Sequence, residues 1–333
     1  MARVLVTGGS GFVGRHLVDA LIARGDEVRV LDVAGAEGLP REAEFLPGSI
    51  LDRADLDRAM TGVDRLFPLA GIAHLWAREK ASFDRVNRLG SETVLKAAAE
   101  HGIARVVHCS TESILLPKKR NGKHFVDEAA ALSLNDMPGP YTRSKYLGEL
   151  AALDAARDGL DVVVVNPTVP IGAGDRNMTP PAEMLALFLA GGSPFFLDCV
   201  LNLVDVRDLA DGIARAGEHG RAGERYILGG ENIPLRRLLA VLERLSGRRM
   251  PKRAIPAPIA LAAGTMSEWV SGLTGGTPVA SREAVRIALR SAPFDSAKAK
   301  RELGYAPRPI EGALTEAVEW LAAKQPAANA RRH

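Results

Sequence analysis

Apolar positions in the first half of the chain switch between two periods. Arg3 to Val6 is a short apolar run that stops at glycines, and Phe12 to Ala23 then carries apolar residues at helical spacing until Gly25. The β-branched run Val28 to Val33 predicts a second strand, Phe45 and Leu46 a weak third, and Asp64 to Leu69 a fourth. Helices are expected over Ala54 to Met60 and, as one long element, Ser82 to Glu100, closed by Gly102. Arg105 to Cys109 reads as a fifth strand and Tyr141 to Arg157 as a helix stopped by Gly159. Asp161 to Asn166 holds four valines in a row, the pattern of a strand buried on both faces of a parallel sheet. Strand and helix repeated this often predict an α/β fold, a doubly wound parallel sheet.

Beyond Pro167 the rhythm breaks, with further prolines at 170, 180, 181 and 194. Leu203 to Val206 is expected to return to the sheet, with Asp208 capping the next helix, and Tyr226 to Leu228 is another short strand. Pro234 to Ser246, Ser281 to Leu289 and Ile310 to Ala323 read as helices of a smaller, mostly helical C-terminal lobe. The expected division is 1–168 for the sheet domain, with a return of the chain near 200–230, then 169–325 for the lobe and 326–333 for a flexible tail. The longest apolar stretch, Ala254 to Thr265, is short and holds two prolines. It reads as a core or lid helix ahead of a surface that meets a lipidic substrate or membrane, and Met266 to Val270 as helix core ahead of an apolar lid wall.

Composition narrows the class. At 333 residues, 47% hydrophobic and 25% charged, the chain is a globular protein rather than a disordered or fibrous one. A net charge of +3, from 43 basic and 40 acidic residues, is too weak a field for nucleic acid as the main partner. No stretch approaches the roughly 20 apolar residues of a membrane span, so stable membrane insertion is not expected. Two cysteines, Cys109 and Cys199, cannot build a disulfide framework, and the first strand begins without room for a targeting segment, so a cytoplasmic protein is expected. Seven histidines show no metal-ligand spacing, so no metal is expected.

The first motif with chemistry is a GxxGxxG spacing, Gly8, Gly11 and Gly14, between a strand and a helix. Glycines there let the backbone approach a diphosphate, and the free N–H groups at the helix start, including those of Phe12, Val13 and Gly14, face the anion. The bland reading is a plain turn. Asp32 closes the second strand, where a carboxylate accepts the hydroxyls of an adenosine ribose and repels the extra phosphate of NADP. Val33, Ala34 and Gly35 follow it and no arginine does, which favours NAD over NADP.

The second motif is Tyr141 and Lys145, four residues apart on one helix face, with Pro140 at a credible helix start. A tyrosine with an ordinary pKa near 10 is a poor acid or base at neutrality, and a neighbouring ammonium stabilises its phenolate. Ser110 and Thr111 end the fifth strand at the carboxyl edge of the sheet, where their hydroxyls can meet a substrate oxygen near Tyr141.

Together the glycine loop, Asp32, the strand-end Ser110-Thr111 pair and the Tyr141/Lys145 pair resemble the extended short-chain dehydrogenases/reductases, the NAD-dependent epimerase/dehydratase family, in order and spacing almost to Trp320. The resemblance implies a Rossmann-type domain, NAD(P) as cofactor, and Thr111, Tyr141 and Lys145 as catalytic residues. It places Asp52, from Gly48 to Asp52, near the adenine, although Ser49 stands where an aspartate is usual. It places Leu69, Ala70 and Gly71 beneath the cofactor, with Pro68 replacing a histidine, and Pro167 and Thr168 against the nicotinamide amide. Asp127-Glu128 and Leu147 to Glu149 also fit. Asn166 to Gly172, Leu201 to Asp205, Glu224 to Glu231 and Phe294 to Lys298 are similar to the dihydroflavonol-reductase-like branch, nearest to the hopanoid-associated sugar epimerases. Nucleotide-sugar members usually carry an asparagine where this chain has Val169, which weighs against a nucleotide sugar. Family members often pair as homodimers through two helices, and the resemblance makes 82–100 and 141–157 the candidates here.

Other residues carry weaker expectations. His74 and Trp76 follow the cofactor turn and either line the substrate mouth or form a plain surface loop, and Glu112, Val169 and Asn202 are further candidate substrate contacts, as are Thr168 and Asn177. His108 and Cys109 read as core packing, and Lys118, Lys119, Arg120 and Lys123 as a solvated basic loop ahead of a phosphate site. The expected activity is an NAD(P)-dependent interconversion of a secondary alcohol and a ketone on a small-molecule substrate. The rival readings are a sugar epimerase or dehydratase that holds its NAD, and a non-catalytic dinucleotide-binding protein.

Overall fold

The structure is a computed structural model that describes residues 1–118 and 124–329, with side chains to Lys324. β1 (Arg3–Thr7) leads into α1 (Phe12–Ala23), followed by β2 (Glu27–Asp32), β3 (Glu44–Pro47), α2 (Arg53–Met60) and β4 (Arg65–Pro68). The single helix predicted over 82–100 is instead interrupted. A short α3 (Ala81–Phe83) passes into a π-helical stretch, Asp84–Leu89, before α4 (Gly90–Glu100). The widened turn carries Asn87 inward, toward a loop and a second helix, while Val94, Leu95, Ala97 and Ala98 of α4 face the sheet. β5 (Arg105–Cys109), α5 (Pro140–Arg157) and β6 (Val162–Pro167) complete the first half.

The second half holds β7 (Val169–Ile171), α6 (Pro180–Leu189), β8 (Phe195–Phe196), β9 (Val200–Asp205), α7 (Val206–His219) and β10 (Arg225–Leu228). It continues through β11 (Glu231–Pro234), α8 (Leu235–Ser246), β12 (Arg253–Ala254), α9 (Ala257–Thr274), α10 (Arg282–Arg290), α11 (Ala297–Leu303) and α12 (Glu311–Asn329).

Seven strands form one parallel sheet in the order β3-β2-β1-β4-β5-β6-β10. Side chains of a strand alternate between faces, and here both faces are covered. Val4, Val6, Val163 and Val165 pack with Leu17, Leu209 and Ile213 on one side. Leu5, Val162 and Val164 pack with Leu56, Val94 and Ala152 on the other. The four-valine run is thus apolar throughout because each residue lies in one of two cores.

Three expectations are corrected. The strand that returns to the sheet is β10, beside β6, and not the segment around 203–206. β9 instead joins a separate sheet, parallel to β7 and antiparallel to β11, where Asn202 Nδ2 donates to Asn232 Oδ1 at 2.8 Å. Asp205, not Asp208, caps α7, accepting the Arg207 N–H at 2.9 Å, while Asp208 sits inside the first turn and accepts the Arg308 N–H. Finally, Met266 to Val270 is not helix core: Met266, Trp269 and Val270 of α9 are exposed, as are Ile259 and Leu273, because the helix packs through its small residues Ala260, Gly264 and Ser271.

The lobe has its own core, built from α6, α8 and α12 over β7, β9 and β11, with Leu185, Leu238, Leu242 and Leu314 at its centre. α12 continues to Asn329, so the stretch 326–329, expected as tail, is helical; residues 330–333 lie outside the described residues, as do three of the basic-loop positions, Lys119, Arg120 and Lys123, with the intervening 121–122.

Candidate active site

β1 and β4 are neighbours in the sheet, but the chain runs outward from them in opposite directions. This is the switch point where ligands of doubly wound sheets bind. The glycine loop fills it closely. Gly8 has φ +74°, and a Cβ there would lie 2.5 Å from the Ala70 nitrogen; a Cβ on Gly14 would lie 2.3 Å from the Gly8 oxygen. α1 begins at Phe12 with no side-chain cap and no acidic residue in its first turn, so the N–H groups of its start keep their capacity for an anion. The buried Ser10 hydroxyl has no partner. These features fit a dinucleotide diphosphate.

Around that cradle the other candidate positions are placed as follows. Asp32 Oδ2 accepts the Ser10 N–H at 3.0 Å and Oδ1 the Ala34 N–H at 2.9 Å, which fixes the carboxylate at the end of β2. Asp52 caps α2, accepting the Ala54 N–H at 2.8 Å, so part of its acceptor capacity serves the fold. The turn Leu69-Ala70-Gly71 is hung from β1: Leu69 N–H donates to the Thr7 carbonyl at 2.9 Å and Ala70 N–H to the Thr7 hydroxyl at 3.4 Å. Pro167 and Thr168 are buried against Leu228 of β10.

The catalytic candidates converge. Pro140 starts α5, and Tyr141 lies buried in its first turn. Burial raises the phenol pKa well above its ordinary value; a hydrogen bond with Thr111 pulls it back, and the charges of Glu112 and Glu283 add to the rise. Lys145 is lowered by burial, and its ammonium donates to the Cys109 carbonyl at 2.7 Å. The lowering of the tyrosine expected from Lys145 is not seen: burial dominates, and the Lys145 ammonium is turned to the end of β5. Ser110 is buried with its hydroxyl unpartnered, and its N–H donates to Val165.

Glu112 follows Thr111 directly and its carboxylate accepts the Thr111 hydroxyl at 3.1 Å. Burial pushes its pKa up to about 7, against the pull of hydrogen bonds from Thr111 and Ser113. His108 is buried with both ring nitrogens unpartnered, and burial pushes it down to about 3, so it sits neutral in the sheet. Asn202 and Val169 belong to the second sheet: both polar atoms of Asn202 are engaged, on Asn232 and on the Gly230 N–H. His74 and Trp76 are half-buried in the loop after the cofactor turn, with Lys80 Nζ 5.1 Å from the Trp76 ring centre. Lys118 pairs with Asp136 at the foot of the basic loop.

Three residues that the sequence analysis did not single out hold this arrangement. Asn87 joins the segment after the Leu69-Ala70-Gly71 turn to α5: Oδ1 accepts the Ile72 N–H at 2.8 Å, and Nδ2 donates to the Ile72 carbonyl and to Ser144 Oγ, both at 3.1 Å. Glu283, from α10 of the lobe, caps α5, accepting the N–H groups of Tyr141 at 3.1 Å and Thr142 at 2.8 Å and the Thr142 hydroxyl at 2.8 Å. Arg225 of β10 donates to buried Glu149 at 2.6 Å, and Glu149 in turn accepts Asn166 Nδ2 at 2.7 Å. Glu149 appeared only as part of a resemblance; Arg225 and Glu283 are 76 and 142 residues from their partners and leave no local signal.

A parallel sheet with a glycine cradle at its switch point and a buried Tyr/Thr pair with a lysine one turn on defines a dinucleotide-dependent enzyme of the extended short-chain dehydrogenase type. The chain belongs to the NAD-dependent epimerase/dehydratase family, whose model matches residues 4–229. It is 36% identical over 325 residues to a Synechocystis sp. protein named for dihydroflavonol 4-reductase, covering 95% of this chain and 93% of that one. It is 34% identical over 319 residues to a Stigmatella aurantiaca 4-hydroxy-2-methyl-3-oxo-4-farnesyl-3,4-dihydroquinoline-1-oxide ketoreductase, covering 92% of each. Among solved structures it is similar to DesIV, a dTDP-glucose 4,6-dehydratase from Streptomyces venezuelae with NAD bound, at 26% identity and a TM-score of 0.77 over 97% of this chain and 98% of that one.

Proposed function

We propose that the chain interconverts a secondary alcohol and a ketone on a small-molecule substrate, with NAD as its cofactor. The observation that carries this reading is the buried Tyr141 hydroxyl, hydrogen-bonded to Thr111 with Lys145 one turn along the same helix. When bound, the nicotinamide supplies or accepts the hydride. Tyr141 gives its hydroxyl proton to the carbonyl oxygen, so that C=O becomes C–H and O–H, and takes that proton back in the reverse direction. Thr111 orients the substrate oxygen beside Tyr141. Lys145 would hold ribose hydroxyls of the cofactor, its ammonium being anchored on the Cys109 carbonyl at 2.7 Å. Ser110, with its free buried hydroxyl, adds a donor or acceptor on the cofactor side.

Asp32 supports NAD over NADP, since its carboxylate would repel a ribose phosphate and Val33, Ala34 and Gly35 offer no compensating cation. The ketoreductase and dihydroflavonol reductase names among its relatives support a ketone or its alcohol as substrate. The expected homodimer would form through α4 and α5, where Leu89, just before α4, and Leu150 are exposed.

Tyr141→Phe tests the assignment. Turnover of a ketone panel should fall about 10²- to 10⁴-fold while NAD still binds. Near-wild-type turnover in that variant would remove Tyr141 from the mechanism. A second reading, an epimerase or dehydratase that keeps its NAD, is favoured by Glu112, a carboxyl poised near neutrality beside Thr111 and able to move a second proton. Stoichiometry separates the two: a reductase consumes free reduced cofactor, whereas an epimerase leaves the nicotinamide absorbance unchanged.

A further inference from the structure

α9 presents an apolar stripe to solvent. Ile259, Met266, Trp269, Val270 and Leu273 are 57%, 60%, 63%, 44% and 70% exposed. Their spacing, seven, three, one and three residues, keeps them on one side of a helix. The opposite side is made of Ala260, Gly264 and Ser271, and a Cβ on Gly264 would lie 3.2 Å from Val285 of α10, so the helix lies close against its neighbour through small residues. Six of the thirteen large hydrophobic residues exposed among the described ones lie between Ile259 and Val279, so the exposure is concentrated and not scattered.

Both ends of the stripe carry cations. Exposed Lys252 and Arg253 precede the helix. At the other end Arg78 reaches Gly275, where a Cβ would lie 3.7 Å from its Nη1, and exposed Lys80 and Arg282 lie close by. The helix has one carboxylate, Glu268, and it is engaged by the Arg282 N–H at 2.9 Å, away from the stripe. Lys252 pairs with Glu243 and Lys80 lies near Glu268 and Glu283, whereas Arg78, Arg253 and Arg282 have no carboxylate ion pair among the described residues. An apolar face with a tryptophan, bracketed by those arginines, is complementary to one kind of surface.

We propose that α9 docks this protein onto anionic phospholipid bilayers, lying in the interface with its stripe among the acyl chains. No helix among the described residues is long and apolar enough to cross a membrane, so the attachment is peripheral. A second copy of the chain fits the stripe less well, because either orientation of two such helices sets cations against cations. The loop of Trp76 is tied to the same region, with the Ser281 hydroxyl donating to the Leu75 carbonyl at 2.9 Å, so docking would set the side of the lobe that leads to Tyr141 against the lipid. The proposal does not depend on which reaction the site performs.

Flotation of the full chain with vesicles tests it. With vesicles of phosphatidylcholine containing about a third phosphatidylglycerol the protein should float, and with pure phosphatidylcholine or at high salt binding should fall about tenfold or more. Met266→Ser with Leu273→Ser, both at exposed positions, should weaken partition to the anionic vesicles about tenfold for each side chain while NAD binding stays at the wild-type level. Wild-type protein that stays with the lipid-free fraction, or a double variant that floats as well as the wild type, overturns the proposal. A wild-type dimer that the double variant dissolves into monomers would show that a second copy covers the stripe, and would overturn it too.

Discussion

Glu283→Ala is the most informative single perturbation. The Glu283 carboxylate is 4% exposed and accepts from the Tyr141 N–H, the Thr142 N–H and the Thr142 hydroxyl. Alanine leaves the two N–H groups without an acceptor at the buried start of α5; the hydroxyl keeps the Gly139 carbonyl at 3.1 Å. A hydrogen bond to a charged group contributes about 1.5–3 kcal/mol, and a lost helix cap costs about 1 kcal/mol. Burial opposes these gains, raising the Glu283 pKa above the usual carboxylate range in spite of its donors and the nearby Lys80. The net loss of stability should therefore be about 2–3 kcal/mol, less than the sum of its parts. The larger consequence is kinetic. Tyr141 stands in the turn that loses its cap, and a displacement of about 1 Å in a reacting group costs on the order of 100-fold in rate. Urea unfolding and steady-state kinetics should show a lowered midpoint and a kcat reduced far more than cofactor affinity changes, with Glu283→Gln intermediate because one acceptor oxygen remains. A Glu283→Ala protein with wild-type midpoint and wild-type kcat would refute the positioning role.

Two further outcomes are expected. Burial raises the folded-state pKa of Glu112 from its ordinary value of 4.5 to about 7, so its stabilising contribution is complete below about 4.5 and is lost as pH rises through 7, up to about 3 kcal/mol in all; unfolding midpoints measured across that window should fall less in Glu112→Gln than in the wild type. Arg225→Met strands the buried Glu149 carboxylate without its cation and should cost about 3–5 kcal/mol, whereas Arg225→Met with Glu149→Gln should recover part of that loss in the same denaturation assay.

The sequence made the sheet domain readable because its signals are local. β1, the glycines and α1 follow one another without a break from Arg3 to Ala23, and their pattern of apolar period and turn chemistry is confined to that window. The four valines of β6 announced a two-sided burial that the two cores then divided between them. What escaped detection depends on distance. Glu283 acts on residues 142 positions away, and β10 enters the sheet after a long excursion, so neither carries a periodicity of its own that names its partner. Asn87 was hidden differently, as one polar residue in an otherwise good helical pattern, whose inward aim needs the π-helical turn that no period predicts. α9 misled because an apolar stretch reads as core wherever it sits, and only the small residues 260, 264 and 271 hinted at which side would pack.

The excursion between β6 and β10 has a consequence for how such a chain can be altered. Two strands of the second sheet, β7 and β9, lie with α6 between two adjacent strands of the first, while β11 and the remaining helices of the lobe follow β10. Transplanting a new specificity region from a relative therefore needs two seams, one after Pro167 and one around Leu228, and shortening the chain at the earlier seam would strip β6 of its neighbour and bare a row of unpaired backbone groups. Gene fusions or trimmings that respect only the linear boundary would be expected to yield sticky, self-associating fragments.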